Sequence, residues 1–217
     1  IHASYRHKGI LNRKMLDRAV YLGRKNVQKE PLTLLEKIEN NYLNLTVRRH
    51  INARLGGRLK AFVSGAAALD PNIGYFFLAL NVRILQGYGQ TEASPVIAAN
   101  PPKKIKIETV GKLLVGVEAK LTKLGEICIR GDLVMKGYWN DPVATKKKLR
   151  DGWLLTGDIG TFHPDGYISL TGRKKDIIIN SGGDNISPVK IETVLEAHSD
   201  IDQAMAYGNQ HSYITAV

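Results

Sequence analysis

Cysteine is nearly absent: Cys128 is the only one in 217 residues. An internal disulfide is therefore excluded, and no group of thiolates can hold a metal. Long apolar runs are missing too. The densest, Tyr75-Phe76-Phe77-Leu78-Ala79-Leu80, falls far short of the roughly 20 residues that cross a bilayer. The opening Ile1-His2-Ala3-Ser4 lacks a basic head followed by an apolar core, so it does not read as a signal peptide. These absences lead to the expectation of a soluble, cytoplasmic protein. Internal repeats and low-complexity tracts are also lacking. The length suffices to bury a real core, as one large domain or two small ones.

Positive charge is what the chain has in excess, with a formal net charge of +11. Arg6, His7, Lys8, Arg13, Lys14, Arg18, Arg24, Lys25 and Lys29 load the first thirty residues, and Lys146-Lys147-Lys148 and Arg173-Lys174-Lys175 form local clusters. A solvated helix face accounts for the first group; peripheral contact with an anionic membrane is the other reading. No nucleic-acid-binding motif accompanies the charge, so nucleic acid is not an expected partner.

Along the chain, Leu11, Met15, Leu16, Ala19, Val20 and Leu22 recur at helical spacing. A second helix is expected to begin near Pro31, a good first-turn residue; it, or a successor through Ile51 and Leu55, stops at Gly56-Gly57. Leu59 to Val63 reads as a strand, Pro71 to Leu80 as a helix and Val82 to Leu85 as a strand, which implies a right-handed crossover within a parallel sheet. After Pro101-Pro102 short β-rich runs take over: Val117 to Leu121, Glu126 to Arg130, Trp153 to Thr156 and Tyr167 to Leu170. Asp151-Gly152 and Asp165-Gly166 are turn signals. A small barrel or sandwich fits, interrupted by a helix that Asp141 can cap with Pro142 at its first position. Ile177 to Ile179 reads as a buried strand, Ser187-Pro188 as a helix start, and Ala204 to Tyr207 as a last strand. Cys128, inside Glu126 to Ile129, is expected to be a buried structural thiol, and Trp153 a core residue.

Four segments carry chemistry. Ser64-Gly65-Ala66-Ala67-Ala68-Leu69 is small enough for a planar base to lie on its backbone; a tight strand-to-helix turn explains it equally well. Gly87-Tyr88-Gly89-Gln90-Thr91-Glu92 joins an aromatic ring, flexible backbone, a hydroxyl and a carboxylate in one loop. Such a loop can stack a base and place a carboxylate on the metal ion of a phosphate; a core tyrosine in an ordinary turn is the alternative. The third segment is Trp153 to Asp158, and the fourth runs from Thr171-Gly172-Arg173-Lys174-Lys175-Asp176 to Ser181-Gly182-Gly183-Asp184-Asn185-Ile186-Ser187-Pro188.

In order and spacing these segments resemble the adenylate-forming (AMP-binding) superfamily of acyl-CoA synthetases, adenylation domains and luciferases. Gly125 to Gly131, followed by Gly137-Tyr138-Trp139, resembles that family's bridge between the second and third segments. The wording Gly87 to Pro95 and Asn180 to Pro188 is most similar to long-chain fatty-acid CoA ligases. The resemblance runs from about Ile51 onward and implies an α/β fold. Residues 1–174 would be the carboxy-terminal part of a large amino-terminal domain, with about 1–100 as α/β parallel sheet and 101–172 as a β-rich barrel. Residues 175–217 would begin a small, mobile α+β carboxy-terminal domain.

The resemblance also implies roles. Gly65, Ala66 and Ala67 would wall the adenine, with Gly87 and Gly89 in the facing loop and Tyr88 stacking on the base. Thr91 would meet the α-phosphate, Glu92 would ligate Mg2+, Asp158 would accept both ribose hydroxyls, and Arg173 would reach the ribose or phosphate. Lys175 would be the hinge, and Gly182 and Gly183 would border the thiol arm of coenzyme A. The implied reaction consumes ATP, a fatty acid and coenzyme A, by way of an acyl-AMP. A Ser/Thr/Gly-rich phosphate loop and a late lysine, which the family pattern also contains, are not in these residues. The chain is therefore expected to be a segment of a longer enzyme, unable by itself to complete adenylation.

Overall fold

The computed structural model describes residues 13–65, 69–196, 198 and 200–217. The chain forms two compact units: the described residues up to 86 with 102–107, and residues 87–101 with 108 onward.

The first unit begins with α1 (Arg13–Val27), which buries Leu16, Ala19, Leu22 and Gly23 on one face. Helix α2 (Leu34–Leu43) starts later than Pro31 suggests, because Thr33 caps it. The Thr33 hydroxyl accepts the Glu36 N–H at 3.2 Å, and the Glu36 carboxylate accepts the Thr33 N–H at 2.9 Å, which settles two orphan donors together. Helical structure continues through a π turn (Asn44–Arg48) into α3 (Arg49–Arg54) and ends at Gly56 and Gly57, both at positive φ. Leu16, Ala19, Leu22, Leu43, Val47, Ile51, Leu80 and Val82 form its apolar core.

Arg48 lies inside this unit, only 3% exposed. Its guanidinium donates to Ala79 O at 2.7 Å, Ala19 O at 2.8 Å, and both Asn40 O and Oδ1. Ala79 O is at the carboxy-terminal end of α4 (Pro71–Ala79), where carbonyls carry excess negative potential, so the buried cation is compensated by backbone. Burial draws its pKa down. Strand β1 (Phe62–Ser64) pairs in parallel with β2 (Ile84–Tyr88), Phe62 opposite Ile84 and Ser64 opposite Gln86. The strand–helix–strand order read from Leu59 to Leu85 therefore holds, although the first strand is Phe62–Ser64 rather than Leu59 to Val63. The second strand, however, runs past Leu85, since Gly87 and Tyr88 find ladder partners in β3 (Ala98–Ala99).

The second unit is an antiparallel sheet, as the β-rich texture after Pro102 predicts. Strands β3, β4 (Gly111–Leu113), β9 (Tyr167–Arg173), β8 (Trp153–Phe162), β6 (Glu126–Arg130) and β5 (Glu118–Leu121) pair in that order. A short β7 (Leu149–Arg150) turns into β8 through Asp151-Gly152, both at positive φ, as a two-residue hairpin requires. Asp141 caps α5 (Pro142–Lys148), accepting the Ala144 N–H at 2.8 Å. Tyr88, Ala93, Ile97, Ala98, Ile127, Ile129, Leu154 and Ile168 make the core of this unit. Cys128 is buried, and burial pushes its thiol pKa up. Trp153 is half-buried rather than core: Lys120 Nζ stands 4.1 Å and Arg130 Cζ 4.8 Å from its ring centre, and cations prefer an aromatic face. Toward its end this unit carries the hairpin β10 (Ile178–Ile179) and β11 (Asn185–Ile186), helix α6 (Pro188–Glu196), and the pair β12 (Ala206–Tyr207) and β13 (Thr215–Ala216). Among the described residues no helix is long and apolar enough to cross a membrane.

Candidate functional site

Asp158 sits in β8 directly opposite Arg173 of β9. Its side chain is 10% exposed and receives two donors: Tyr88 Oη–H to Oδ2 at 2.8 Å and Arg173 Nε–H to Oδ1 at 3.2 Å. Each carboxylate oxygen can accept more than one hydrogen bond, so Asp158 retains capacity for further hydroxyl donors. Arg173 is 57% exposed. Tyr88 is 7% exposed and packed in the core of the unit. Burial first, and then the charge of Asp158, hold its phenol pKa well above the ordinary range. The ring is thus a core residue at the end of a strand, not a loop residue as the sequence suggests.

Asp158 follows an irregularity in the sheet. Cys128 pairs with Leu155 and Glu126 with Ile159, so Ile127 alone stands opposite Thr156, Gly157 and Asp158. Such a bulge bends the strand and re-aims its side chains. Gly157 has φ +81, a conformation open to glycine at little cost. The Thr156 hydroxyl donates to Ile127 O at 2.7 Å and accepts the Asp158 N–H at 3.1 Å. Lys148 Nζ donates to Leu155 O and Thr156 O, both at 3.3 Å.

Thr91 and Glu92 begin a 3-10 turn after β2 (Thr91–Ala93). Thr91 is exposed. Glu92 accepts Tyr138 Oη–H at 2.6 Å on Oε1, and its carbonyl accepts the Met135 N–H at 2.9 Å. The Tyr138 hydrogen bond holds the Glu92 pKa below the usual carboxylate range, with smaller electrostatic pulls from Lys148 and Arg173. Tyr138 in turn is pushed up to about 12, chiefly by that hydrogen bond. Glu92 therefore stands ionised within the electrostatic reach of Arg173, the partner of Asp158. Gly89 is needed for the chain itself: a Cβ there would overlap the carbonyl of Pro95. Gly87 is not so constrained, its Cβ position lying 3.5 Å from Ala98 O.

The remaining predicted residues are placed as follows. Gly65 follows β1 in the first unit; Ala66 and Ala67 lie outside the described residues. Lys175 is exposed in the turn after β9. Gly182 and Gly183 occupy the turn of the β10–β11 hairpin, where the Gly183 N–H donates to Asn180 O at 3.0 Å. Sequence reasoning assigned no role to Tyr138, Lys148, Thr156 or Glu126. Tyr138 stood in a quoted motif, but nothing local shows that its hydroxyl meets a carboxylate 46 positions away.

A family model described as AMP-binding enzyme matches residues 16–139. The chain is similar to the long-chain-fatty-acid–CoA ligase FadD15 of Mycobacterium tuberculosis, 38% identical over 184 residues, covering 85% of this chain and 31% of that protein. It is likewise similar to the human long-chain-fatty-acid–CoA ligase ACSBG1, 32% identical over 215 residues, covering 95% of this chain and 30% of that protein. The chain thus spans about a third of the length of these relatives. Among solved structures, the Bacillus subtilis O-succinylbenzoate coenzyme A synthetase with AMP superposes with a TM-score of 0.66 at 27% identity, covering 77% of this chain and 39% of the other. The same enzyme with ATP and magnesium gives 0.65, again at 27% identity over 77% and 39%.

Proposed function

The chain belongs to the AMP-binding enzyme family, and on that premise we propose that the full-length protein activates a long-chain fatty acid with ATP and passes the acyl group to coenzyme A. The observation that carries this reading is the chain of contacts Tyr88–Asp158–Arg173, with the ionised Glu92 in electrostatic reach of Arg173. Two carboxylates, one guanidinium and an aromatic ring are what a nucleotide linked to an acyl group demands.

In this reading the fatty-acid carboxylate attacks the α-phosphorus of ATP, expelling pyrophosphate; the thiolate of coenzyme A then attacks the acyl carbonyl and AMP leaves. Asp158 accepts the ribose hydroxyls on the lone pairs that Tyr88 and Arg173 leave open, fixing the nucleotide's orientation. Arg173 directs its remaining donors to the ribose or phosphate. Tyr88, with the backbone of Gly87 and Gly89, is assigned to the adenine. Thr91 donates to the α-phosphate.

Glu92 fits Mg2+ in that it is ionised, its pKa held below the usual carboxylate range. One carboxylate plus phosphate oxygens is a usual magnesium environment. The ion would neutralise phosphate charge as the α-phosphorus is attacked. Exposed Lys175 is the hinge at which residues 175–217 begin a mobile domain, bringing Gly182 and Gly183 to the coenzyme A arm.

The test is acid-dependent thioester formation by the full-length protein with ATP, Mg2+ and coenzyme A. Palmitate should yield palmitoyl-CoA and AMP in equal amounts. Formation of ADP, or turnover unaffected by omitting the acid, would overturn the reading.

A further inference from the structure

Glu126 takes no part in the chemistry above, yet it is 3% exposed and ionisable. A buried carboxylate is costly unless its oxygens are occupied by donors. Oε1 accepts the Gly157 N–H at 3.1 Å; Oε2 accepts Lys174 Nζ at 2.8 Å. One donor lies within β8 and the other in the turn just past β9. Gly157 is in the bulge of β8, one residue before Asp158, and Lys174 is one residue beyond Arg173. The Lys174 N–H also donates to Gly157 O at 2.8 Å, closing a loop of contacts through all three residues.

The bulge gives this arrangement its purpose. With Ile127 alone opposite Thr156, Gly157 and Asp158, the Gly157 N–H has lost its regular ladder partner, and the Glu126 carboxylate replaces it. The carbonyls of Leu155 and Thr156 are met from elsewhere, by Lys148. The bulge is thereby pinned by an anion on its N–H side and a cation on its C=O side. What the pinned bulge carries is Asp158, already facing Arg173 across the β8–β9 ladder.

We propose that Glu126 is the positioning residue for the Asp158–Arg173 pair, setting its geometry for the nucleotide by tying the β8 bulge to the end of β9. This rests on the proposed ribose contact of Asp158. Glu126 touches no substrate; it acts through Gly157 and Lys174.

The experiment uses the full-length protein and AMP as the probe. Calorimetry would give AMP affinity, and steady-state kinetics KM for ATP and for coenzyme A, in Glu126→Ala, Glu126→Gln, Lys174→Met and Asp158→Ala. Orphaning the bulge N–H and the lysine in Glu126→Ala should weaken AMP by about tenfold or more. KM for ATP should rise with it while KM for coenzyme A stays put. Glu126→Gln, which keeps an acceptor for Gly157, should recover part of the loss, and Lys174→Met should show a similar partial loss. Glu126→Ala with Asp158→Ala should add little to Asp158→Ala alone.

A lower unfolding temperature with unchanged AMP affinity in the Glu126 variants would overturn the positioning role and leave the ribose contact standing. Unchanged AMP affinity in Asp158→Ala would overturn both. Should Glu126→Ala not fold, Glu126→Gln and Lys174→Met decide alone, since each leaves one of the two contacts in place.

Discussion

Tyr88 and Asp158, 70 positions apart in sequence, meet through a 2.8 Å hydrogen bond in a buried setting. The phenol donates and the carboxylate accepts, and the burial that raises the Tyr88 pKa keeps the donor proton in place across the whole neutral range. An aromatic ring and a carboxylate are thereby tied together.

Tyr88→Phe removes that donor and leaves Asp158 held by Arg173 alone. Unfolding free energy in urea should fall by roughly 1–3 kcal/mol, the usual loss for a buried hydrogen bond to a charged group. AMP affinity should fall as well, because Asp158 gains freedom to rotate. A variant as stable as the parent would show that the bond contributes nothing net.

The Tyr138–Glu92 pair predicts a pH signature. The Glu92 pKa is lowered from 4.5 by the Tyr138 hydrogen bond, so its contribution to stability is complete above that ordinary value. It disappears as pH falls through the lower folded value. Tyr138 is raised from 10.0 to about 12, so its contribution is complete below 10.0 and is lost as pH rises through about 12. The stability difference between the parent and Tyr138→Phe should therefore be flat through the neutral range and shrink at both ends. Urea midpoints against pH would read it, and a flat difference down to strong acid would contradict it.

Three glycines should answer differently to alanine. Gly89→Ala drives a Cβ into the Pro95 carbonyl and should cost more than about 2 kcal/mol, with backbone having to move. Gly183 has φ +86 and open space around it, so Gly183→Ala should cost only about 1 kcal/mol, from backbone conformation. At Gly182 the Cβ would stand 3.3 Å from Asn180 Oδ1, which accepts the Asp184 N–H at 2.8 Å. Gly182→Ala should cost about 0.5–1.5 kcal/mol, the range of one weakened hydrogen bond. Thermal unfolding should set Gly89→Ala apart from the other two.

Cys128 should resist thiol reagents. It is 3% exposed, and burial raises its pKa, so little thiolate is presented. Mass spectrometry after labelling should find it modified only in denaturant, and rapid labelling of the native protein would refute its burial.

Much of the fold was legible in the sequence because local physics determines it. Asp141 ahead of Pro142 caps a helix wherever those residues stand, and Asp151-Gly152 turns a hairpin. Glu126–Arg130 formed the strand that its β-rich composition between turns predicted. Errors arose where a partner far along the chain decides. Leu85 looked like a strand end until Ala98 and Ala99 extended the ladder to Tyr88. Trp153 looked like core until Lys120 and Arg130 covered its ring. The helix start went to Thr33 over Pro31 because a side chain that can accept an N–H outbids a residue that merely lacks one.

The candidate site divides along the same line. Sequence by itself determined which chemical groups are present and in what order, since motifs are contiguous and their spacing survives without a structure. Tertiary structure alone decided that Tyr88 reaches Asp158, that Tyr138 engages Glu92, and that Glu126 occupies the bulge beside Gly157. Hydrogen bonds depend on distances of a few ångström, and residues tens of positions apart acquire such distances only when strands pair in one register.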